Sequence, residues 1–418
     1  MKALVFSPAF APNMGSESLV ACKLVLSLQK AGWEVDVISR RDGGLYSNDW
    51  EWPWTQLAAR THQLSPDQPM LVRRLRQRLS DAFAMGHPVA GVRWAAMALA
   101  LGRKMISQKP YDVMFSRSPP EVGHLPALRL SAESKIPWIA NWNDPPVGFW
   151  PSPYDDQNGS RVQRLLYRRL SQAVCRRATK NTFPSAELGA HFQTCLSLDG
   201  PDNLAIVPHA IYPMGATTHI STKEFRIRHA GKLCGARDPR IFLSGLSLFL
   251  SRERPAVGAF VVEQIGRTDN DLSILSKKYG IQDFIRSSGP VAYLSAMERL
   301  QDSDVNLLVE APCEQGIFLP GKFTDYAEAQ RPILAVSPTS GVVARLFREH
   351  GGGILADVTS PEAVSQAISA MYDAWKAGQL DARYQSKTLA LAFTPDSIVS
   401  SYSKIVLDAM SKPSPQVM

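Results

Sequence analysis

Short apolar runs separated by helical patterns occur in two successive rounds, and this alternation constrains the fold of the chain more than any other feature. The strand-like runs of the first round lie at residues 3–8, 34–39, 111–117, 137–142, 181–185 and 204–209. Those of the second round lie at residues 225–231, 256–266, 283–289, 305–310, 332–337 and 352–357. Strands that alternate with helices are typical of a parallel, doubly wound sheet. The sequence therefore predicts an α/β protein with two Rossmann-like sheets.

The length of the chain also favours two domains, because 418 residues exceed what one hydrophobic core usually serves. The predicted parts are an N-terminal domain at 1–213 with an insertion at 43–95, a polar linker at 214–224, a C-terminal domain at 225–390, and a last helix within 391–418 that crosses back onto the first domain. Ligands of open α/β sheets bind at the carboxyl ends of the strands. Two such domains facing each other predict a site in the cleft between them.

The cysteines and the apolar segments exclude several classes of protein. The five cysteines form no CxxC pair and have no histidine at zinc spacing, so neither a disulfide framework nor a metal site is expected. The apolar run before Pro8 is too short for a signal peptide and is predicted to be the first strand. No segment approaches the 18 or so apolar residues of a membrane span. The expected location is the cytoplasm.

The net charge of +8 implies an anionic partner. Arginines crowd two amphipathic stretches, 71–83 and 161–177, in which apolar residues recur at helical spacing. Such helices suit the plane of an anionic membrane. The alternative is a solvated basic face over an apolar stripe that packs on the core, with Phe83 in the first stretch and Leu166, Leu170 and Val174 in the second. Nucleic acid is not expected as a partner, because no recognised binding motif accompanies the charge.

Three tryptophans, Trp50, Trp52 and Trp54, lie in the predicted insertion. Their rings have the chemistry to stack on sugar faces or to lie at a membrane interface. The alternative is that they pack the insertion onto the core of its domain.

The segment 318–338, FLPGKFTDYAEAQRPILAVSP, predicts a loop, a helix and a strand. Lys322 and Asp325 then lie in the first turn of the helix. The free backbone N–H groups and positive dipole end of a helix N-terminus stabilise a phosphate, while a carboxylate accepts hydrogen bonds from a sugar diol. The pair therefore suggests a nucleotide, although an acid in a first turn often only complements the helix dipole.

Five segments, in order, resemble the motifs of GT-B glycosyltransferases of the large retaining family 4, and the resemblance covers nearly the whole chain. The segments are SPAFAPNMGSESLVACKLVLSLQKAGWEVDVIS, SRSPPEVGHLPALRLSAESKIPWIANWNDPP, RHAGKLCGARDP, SGPV and LPGKFTDYAEAQRPILAV. The second is similar to a bacterial subgroup of the family. The resemblance implies two Rossmann-like doubly wound domains that face each other across a cleft.

The resemblance also assigns roles to residues. Lys232 and Arg237 would grip the diphosphate of a nucleotide-sugar donor and neutralise the charge that builds on the leaving group. Gly15 and Ser16 would bring backbone N–H groups to the same diphosphate from the other domain. The remaining donor contacts that the resemblance implies are at Gly289, Val291, Gly316, Lys322 and Asp325.

Two further residues are implied on the acceptor side. His124 would start a helix and face the transferred sugar or the acceptor. Asp144, in the NDPP turn, is the residue best suited to take the proton of the acceptor hydroxyl. Each also has a structural alternative, a helix cap or surface residue for the histidine and an Asx turn for the aspartate.

The chain departs from the family pattern at one position. The family commonly has two glutamates separated by seven residues, and here Asp325 takes the second place while Ile317 takes the first. A second feature, the DSD triplet at 302–304, resembles a metal-binding motif of the other glycosyltransferase fold. We interpret Asp304 instead as a cap at the helix end before the next strand.

Together these observations predict a cytoplasmic, peripherally membrane-associated retaining glycosyltransferase without a metal or other cofactor. It would transfer a sugar from a nucleotide diphosphate sugar to a hydroxyl of a glycan acceptor, lipid-linked by expectation, in cell-surface polysaccharide biosynthesis. The alternatives are a catalytically silent GT-B protein that binds a glycan or a partner transferase, which Ile317 favours, and a GT-B nucleotide-sugar epimerase or hydrolase.

Overall fold

The structure is a computed structural model that describes residues 1–13, 15–41, 53–65, 77, 80–198, 203–215, 222–233, 235–266 and 272–411. The chain divides into two compact units. Unit 1 comprises residues 1–150, 154–210 and 395–418, and unit 2 comprises residues 151–153 and 211–394.

Unit 1 is built on a seven-stranded sheet in the order β3-β2-β1-β4-β5-β6-β7. All of its strand pairs are parallel. The strands are β1 (Lys2–Phe6), β2 (Glu34–Arg40), β3 (Thr61–Leu64), β4 (Val113–Ser118), β5 (Trp138–Trp142), β6 (Lys180–Phe183) and β7 (Leu204–Ile206). The order reverses between β1 and β4, so their carboxyl ends form the topological switch point, where open α/β sheets bind ligands.

The helices of unit 1 connect these strands. They are α1 (Ser16–Lys30), α2 (Val92–Gln108), α3 (Leu125–Ser134), α4 (Arg161–Arg177), α5 (Ala186–Leu196) and α14 (Pro395–Ser411), with 3-10 turns at Trp54–Arg60, Glu121–His124 and Asp155–Asn158. The last helix, α14, packs in unit 1, where the ring of Tyr402 meets that of Phe115 edge-on at 5.5 Å.

Unit 2 repeats the topology with six parallel strands in the order β10-β9-β8-β11-β12-β13. The strands are β8 (Phe225–Ala230), β9 (Phe260–Ile265), β10 (Ile285–Gly289), β11 (Val305–Val309), β12 (Ile333–Ser337) and β13 (Gly353–Asp357). Its switch point lies between β8 and β11.

The helices of unit 2 are α6 (Arg240–Glu253), α7 (Leu272–Lys278), α8 (Tyr293–Gln301), α9 (Gly321–Glu328), α10 (Val342–His350), α11 (Pro361–Lys376), α12 (Leu380–Tyr384) and α13 (Lys387–Ala390), with 3-10 turns at Gln282–Phe284 and Leu391–Phe393. One core cluster lies under α6 and α11, where the rings of Phe225 and Phe249 each contact those of Phe260 and Tyr372. A second cluster, which includes Phe323, lies under α9 and α10.

The twelve predicted strands are all present in the structure, and the last helix, predicted within 391–418, is α14. The strand β3 was not predicted. It lies inside the region predicted to be an insertion, yet it pairs with β2 and is the edge of the sheet. Residues 61–64 are therefore part of the sheet, which corrects the prediction for this stretch.

The predicted surface segments have mixed outcomes. Trp54 is fully buried, so it packs on the core, whereas Trp50 and Trp52 lie outside the described residues. In the second arginine-rich stretch, now α4, Leu170 and Val174 are fully buried and form the core stripe. Most of the first stretch lies outside the described residues; Phe83, at its end, is 91% exposed and belongs to no core stripe.

Within the described residues, no helix combines the length and the apolar character needed to cross a membrane.

Candidate functional site

Four of the predicted donor residues lie near the switch point of unit 2. Lys232 follows the carboxyl end of β8, and Lys322 is in the first turn of α9, whose N-cap is Pro320. Arg237 follows in the loop that leads to α6, and Asp325 lies one turn further along α9. The carboxyl ends of parallel strands meet at one edge of a sheet, which is why residues nearly 100 positions apart in the sequence come together here.

Lys322 is held in place by two hydrogen bonds. Its Nζ donates to Nε2 of His229 at 3.2 Å and to the carbonyl oxygen of Lys232 at 3.0 Å. The side chain crosses directly over Gly231, where φ is +103° and a Cβ atom would lie 2.9 Å from Nζ. A residue other than glycine would push the lysine away and would also be strained at this φ. The local sequence HAGK therefore suits the close approach of Lys322 to the backbone.

Lys232 and Arg237 differ in their surroundings. Lys232 is exposed, whereas Arg237 is half-buried. Arg237 lies close enough to His229 and Glu310 for its charge to lower the pKa of both groups. The structure thus places Arg237 and Lys322 around the same two buried side chains.

Glu310 belongs to the cluster formed by His229, Arg237, Lys322 and Glu310 itself, and it was not predicted from the sequence. It directly follows β11 and is only 5% exposed. Burial raises the pKa of its carboxyl group, and the charges of Arg237 and Lys322 lower it. The only feature of the sequence that could have indicated Glu310 is its position, since it is an acid at the carboxyl end of a buried strand beside the switch point.

Asp325 is held by a residue that was also missed. Tyr293 Oη donates a hydrogen bond of 2.9 Å to Oδ1 of Asp325. Tyr293 is the first residue of α8, two residues after Val291 at the end of the SGPV loop, so it connects that loop to the predicted diol-binding carboxylate. In the loop Gly289 has a φ of +65°, and Val291 is half-buried.

Gly316 lies in a part of unit 2 where its backbone groups are already paired. Its N–H donates to the carbonyl of Ser340 at 3.0 Å and its own carbonyl accepts from Val342 at 2.8 Å. In this structure the N–H of Gly316 is therefore not available to bind a nucleotide-sugar donor. Ile317, at the place where the family has its first glutamate, is 4% exposed and packs as an apolar residue.

The DSD triplet is explained by arginines of β8. Asp304 Oδ2 accepts a 2.8 Å hydrogen bond from the backbone N–H of Arg226, and Asp302 pairs with the guanidinium of the same arginine at 2.7 Å. Both carboxylates of the triplet therefore have protein partners on β8. The suggested role of Asp304 as a helix cap was wrong, since its carboxylate binds the strand that lies beside β11.

At the switch point of unit 1, α1 begins directly after the loop that follows β1. Gly15 is its N-cap with a φ of −64°, a conformation that any residue adopts, and Ser16 is exposed at the first helical position. Both residues are therefore at a helix N-terminus, and their predicted contact with a diphosphate stays a prediction. The next residue, Glu17, is a functional candidate that the sequence analysis missed.

Glu17 lies beside the NDPP turn. Asn143 Nδ2 donates a 2.6 Å hydrogen bond to Glu17 Oε2. Burial and the nearby charge of Asp144 raise the pKa of the Glu17 carboxyl group. Arg117, 4% exposed at the end of β4, acts in the opposite direction. The structure thus brings the predicted base, Asp144, next to a second carboxyl group.

His124 is fully buried at the start of α3, and it packs on Trp142 with the ring centroids 4.1 Å apart. Trp138 Nε1 donates to Oγ of Ser116 at 2.7 Å, and the same oxygen forms a hydrogen bond of 2.7 Å with Nδ1 of His124. The other ring nitrogen of His124, Nε2, is buried and has no hydrogen-bond partner among the described residues.

The charge state of His124 limits what it can do. Burial, with a further contribution from Arg117, lowers the pKa of His124 to about 3. The imidazole is therefore neutral, with Nδ1 paired to Ser116 and Nε2 left for a ligand. In this arrangement His124 is suited to form a hydrogen bond through Nε2, for example with a sugar hydroxyl, and its low pKa makes it a poor proton acceptor.

The predicted residues thus form two groups, each within one unit. Gly15, Ser16, His124 and Asp144 lie around the switch point of unit 1, and Lys232, Arg237, Lys322 and Asp325 lie around that of unit 2. Gly289 is the last residue of β10, and Val291 lies in the loop after it. In the sheet, β9 separates β10 from β8 at the switch point.

Comparison with known proteins connects this arrangement to a family. Residues 18–209 match the family model described as glycosyl transferase 4-like domain. The search of curated proteins found no match.

Solved structures with the same fold cover almost the entire chain. A glycosyltransferase from Rickettsia africae has a TM-score of 0.66 at 12% identity, over 98% of this chain and 99% of that one. HepE from Anabaena, in complex with UDP and glucose, has a TM-score of 0.66 at 13% identity, over 98% of this chain and 100% of that one. TarM from S. aureus has a TM-score of 0.63 at 9% identity, over 97% and 99%. The predicted GT-B fold and the resemblance to family 4-like glycosyltransferases are confirmed.

Proposed function

We propose that this chain, whose residues 18–209 match a glycosyl transferase 4-like domain and whose fold is GT-B, transfers a sugar from a nucleotide diphosphate sugar to a hydroxyl group. The observation that carries the proposal is the arrangement of Lys322, Arg237 and Lys232 around the carboxyl ends of β8 and β11. Three cations at the switch point of a doubly wound sheet suit a diphosphate, because they neutralise the negative charge that grows as the leaving group departs.

We propose that the reaction proceeds with retention of the anomeric configuration and without a metal. The family resemblance supports front-face attack assisted by the leaving phosphate rather than by a protein nucleophile. Lys232, Arg237 and the helix start at Lys322 would supply the positive charge that a metal supplies elsewhere.

On the acceptor side, unit 1 offers a base and a buried hydrogen-bonding group. Asp144 would take the proton of the attacking hydroxyl, with the Glu17 carboxyl group next to it. His124 would form a hydrogen bond through Nε2 with a hydroxyl group of the bound sugar. We propose that the acceptor is a glycan, lipid-linked, and that the product belongs to a cell-surface polysaccharide.

Binding of nucleoside diphosphates tests the proposal before any acceptor is known. UDP is the first probe, because the HepE structures contain UDP and UDP-glucose, followed by GDP and dTDP. A ligand that binds only the folded state raises the melting temperature, by an amount that grows with concentration. A rise with one diphosphate that Arg237→Ala abolishes supports the proposal. No rise with any of the three would count against it.

Tyr293→Phe is expected to weaken binding of the preferred nucleoside diphosphate by roughly threefold to tenfold, because the lost hydrogen bond no longer orients Asp325 toward the ribose. Isothermal titration calorimetry measures the change. The matched control is Tyr384→Phe, which removes a hydroxyl elsewhere in unit 2. An unchanged affinity in Tyr293→Phe would show that Asp325 does not depend on this contact.

We propose that the enzyme associates peripherally with the cytoplasmic face of a membrane through the first half of α4. Its core stripe faces the protein, yet Val162 and Leu165 on the same helix are 67% and 50% exposed. Arg161 and Arg169 are exposed within the same two and a half turns. Apolar side chains beside arginines suit an anionic lipid surface.

Vesicle sedimentation tests this surface. A variant with Leu165→Ser, Arg161→Gln and Arg169→Gln is expected to lose most of its binding to vesicles that contain phosphatidylglycerol, since each basic residue near such a surface contributes about 1 kcal/mol. A control with Arg252→Gln and Arg348→Gln removes two exposed charges from unit 2. Equal loss in both variants would point to net charge rather than to α4.

A further inference from the structure

We propose that His229 is a positioning residue for the reaction: its Nε2 accepts a hydrogen bond from Nζ of Lys322 and thereby aims the lysine at the diphosphate of the donor. The inference rests on the function proposed above. It concerns a buried histidine to which neither the sequence analysis nor the comparisons assign a role.

The geometry assigns the two ring nitrogens of His229 different partners. Nδ1 lies 2.7 Å from the carbonyl oxygen of Leu307 on β11. A carbonyl only accepts, so Nδ1 carries the proton, and the lone pair of Nε2 faces Nζ of Lys322 at 3.2 Å. The hydroxyl of Tyr326, 3.4 Å from Nδ1, accepts from the backbone N–H of Ala230 at 3.0 Å.

The surroundings keep the ring in this neutral form. His229 is 1% exposed. Burial and the charges of Lys322 and Arg237 lower the pKa of His229 well below its usual value, against the bond to Leu307, which raises it. A protonated ring would repel the ammonium group and would have no lone pair to offer it.

A neutral acceptor suits this position better than an acid does. A carboxylate in hydrogen-bond contact with Nζ would form an ion pair and compete with the phosphate for the ammonium group. An imidazole lone pair fixes the direction of Nζ and leaves its full charge for the ligand. Nζ also donates a hydrogen bond to the carbonyl of Lys232, and the side chain passes close over Gly231. These two contacts hold the lysine in the same position as the bond to His229 does.

Two substitutions separate positioning from folding. His229→Asn keeps a donor near the place of Nδ1, for the bond to Leu307, but has no acceptor at the place of Nε2. His229→Gln keeps an acceptor near the place of Nε2. UDP, GDP and dTDP, and the corresponding nucleosides, are titrated by calorimetry against each variant.

We expect His229→Asn to weaken binding of the preferred diphosphate on the order of tenfold, with nucleoside affinity unchanged, and His229→Gln to restore most of the loss. In a Lys322→Ala background, His229→Asn should cause no further loss, because its effect passes through the lysine. Additive losses in the double variant, or equal losses for nucleoside and diphosphate, would overturn the inference.

Chemical acetylation of lysines keeps the inference testable if none of the diphosphates binds. In that case the proposed function would be wrong, but the hydrogen bond between His229 and Lys322 could still be tested. Lys322 should react several times faster in His229→Asn than in the wild type, with exposed Lys277 as the internal reference in peptide mass spectrometry. An unchanged ratio of the two lysines would contradict a role of His229 in holding Lys322.

Discussion

Lys322→Ala is expected to lower kcat/KM for sugar transfer by about 10² to 10³ fold, because it removes a fixed positive charge from the place where the leaving diphosphate gains negative charge. The loss should be larger in kcat than in KM, since the charge on the leaving group is greatest in the transition state. Steady-state kinetics with the preferred donor measure both constants.

The control for Lys322→Ala is Lys277→Ala, which removes an exposed lysine of unit 2 from a helix outside the cluster. Its kinetics should match those of the wild type. If Lys322→Ala raised KM and left kcat unchanged, the lysine would only bind the donor, and the electrostatic role assigned to it would be wrong.

Asp144→Asn is expected to lower kcat by about 10² to 10⁴ fold if Asp144 takes the proton of the acceptor hydroxyl. The amide keeps the size of the side chain and removes its basicity. The residues that would bind the diphosphate do not include Asp144, so affinity for the nucleoside diphosphate should be unchanged, as measured by calorimetry. Asp155→Asn, an exposed position in the same unit, is the matched control.

The stability of Asp144→Asn provides a second readout. The pKa of Glu17 is raised in the folded state, partly by Asp144, so Glu17 costs stability as the pH rises above the range in which a glutamate normally ionises. Removing the charge of Asp144 reduces that cost. The melting temperature of the variant relative to the wild type should therefore increase with pH. A relative decrease would mean that Asp144 is mainly a structural residue of its turn.

Periodicity and turn residues were sufficient to predict the twelve strands and the parallel α/β class, because buried parallel strands have continuous apolar runs. The strand β3, THQL, has no such run, since it lies at the edge of the sheet and its side chains are only partly covered. Its place depends on pairing with β2, which the local sequence does not encode.

The candidate site was predicted only in part, and the reason differs between residues. Lys232, Arg237, Lys322 and Asp325 follow glycine or proline breaks in segments that resemble a known family. Glu17 and Tyr293 do not stand out in the sequence, because a first-turn acid and an aromatic residue at a helix start are common. Their significance comes from tertiary contacts, with Asn143 for the acid and with Asp325 for the tyrosine.

His124 shows how burial changes a role that sequence motifs suggest. Its position before α3 was predicted, and the resemblance placed it among the catalytic residues. The contacts to Ser116 and Trp142 occupy Nδ1 and one ring face, and burial keeps the ring neutral, so its available chemistry is hydrogen bonding through Nε2. Neither contact is local in a way that a sequence pattern reveals.

The most direct test of the central claim is the release of nucleoside diphosphate from a panel of UDP-, GDP- and dTDP-sugars, with membrane extract as a source of acceptors. We expect release from one donor, and loss of that release in both Lys232→Ala and Arg237→Ala. An acceptor screen would then separate transfer from hydrolysis. Absence of release from every donor, with no thermal stabilisation by any nucleoside diphosphate, would rule out sugar transfer by this site and favour a catalytically silent protein of the same fold.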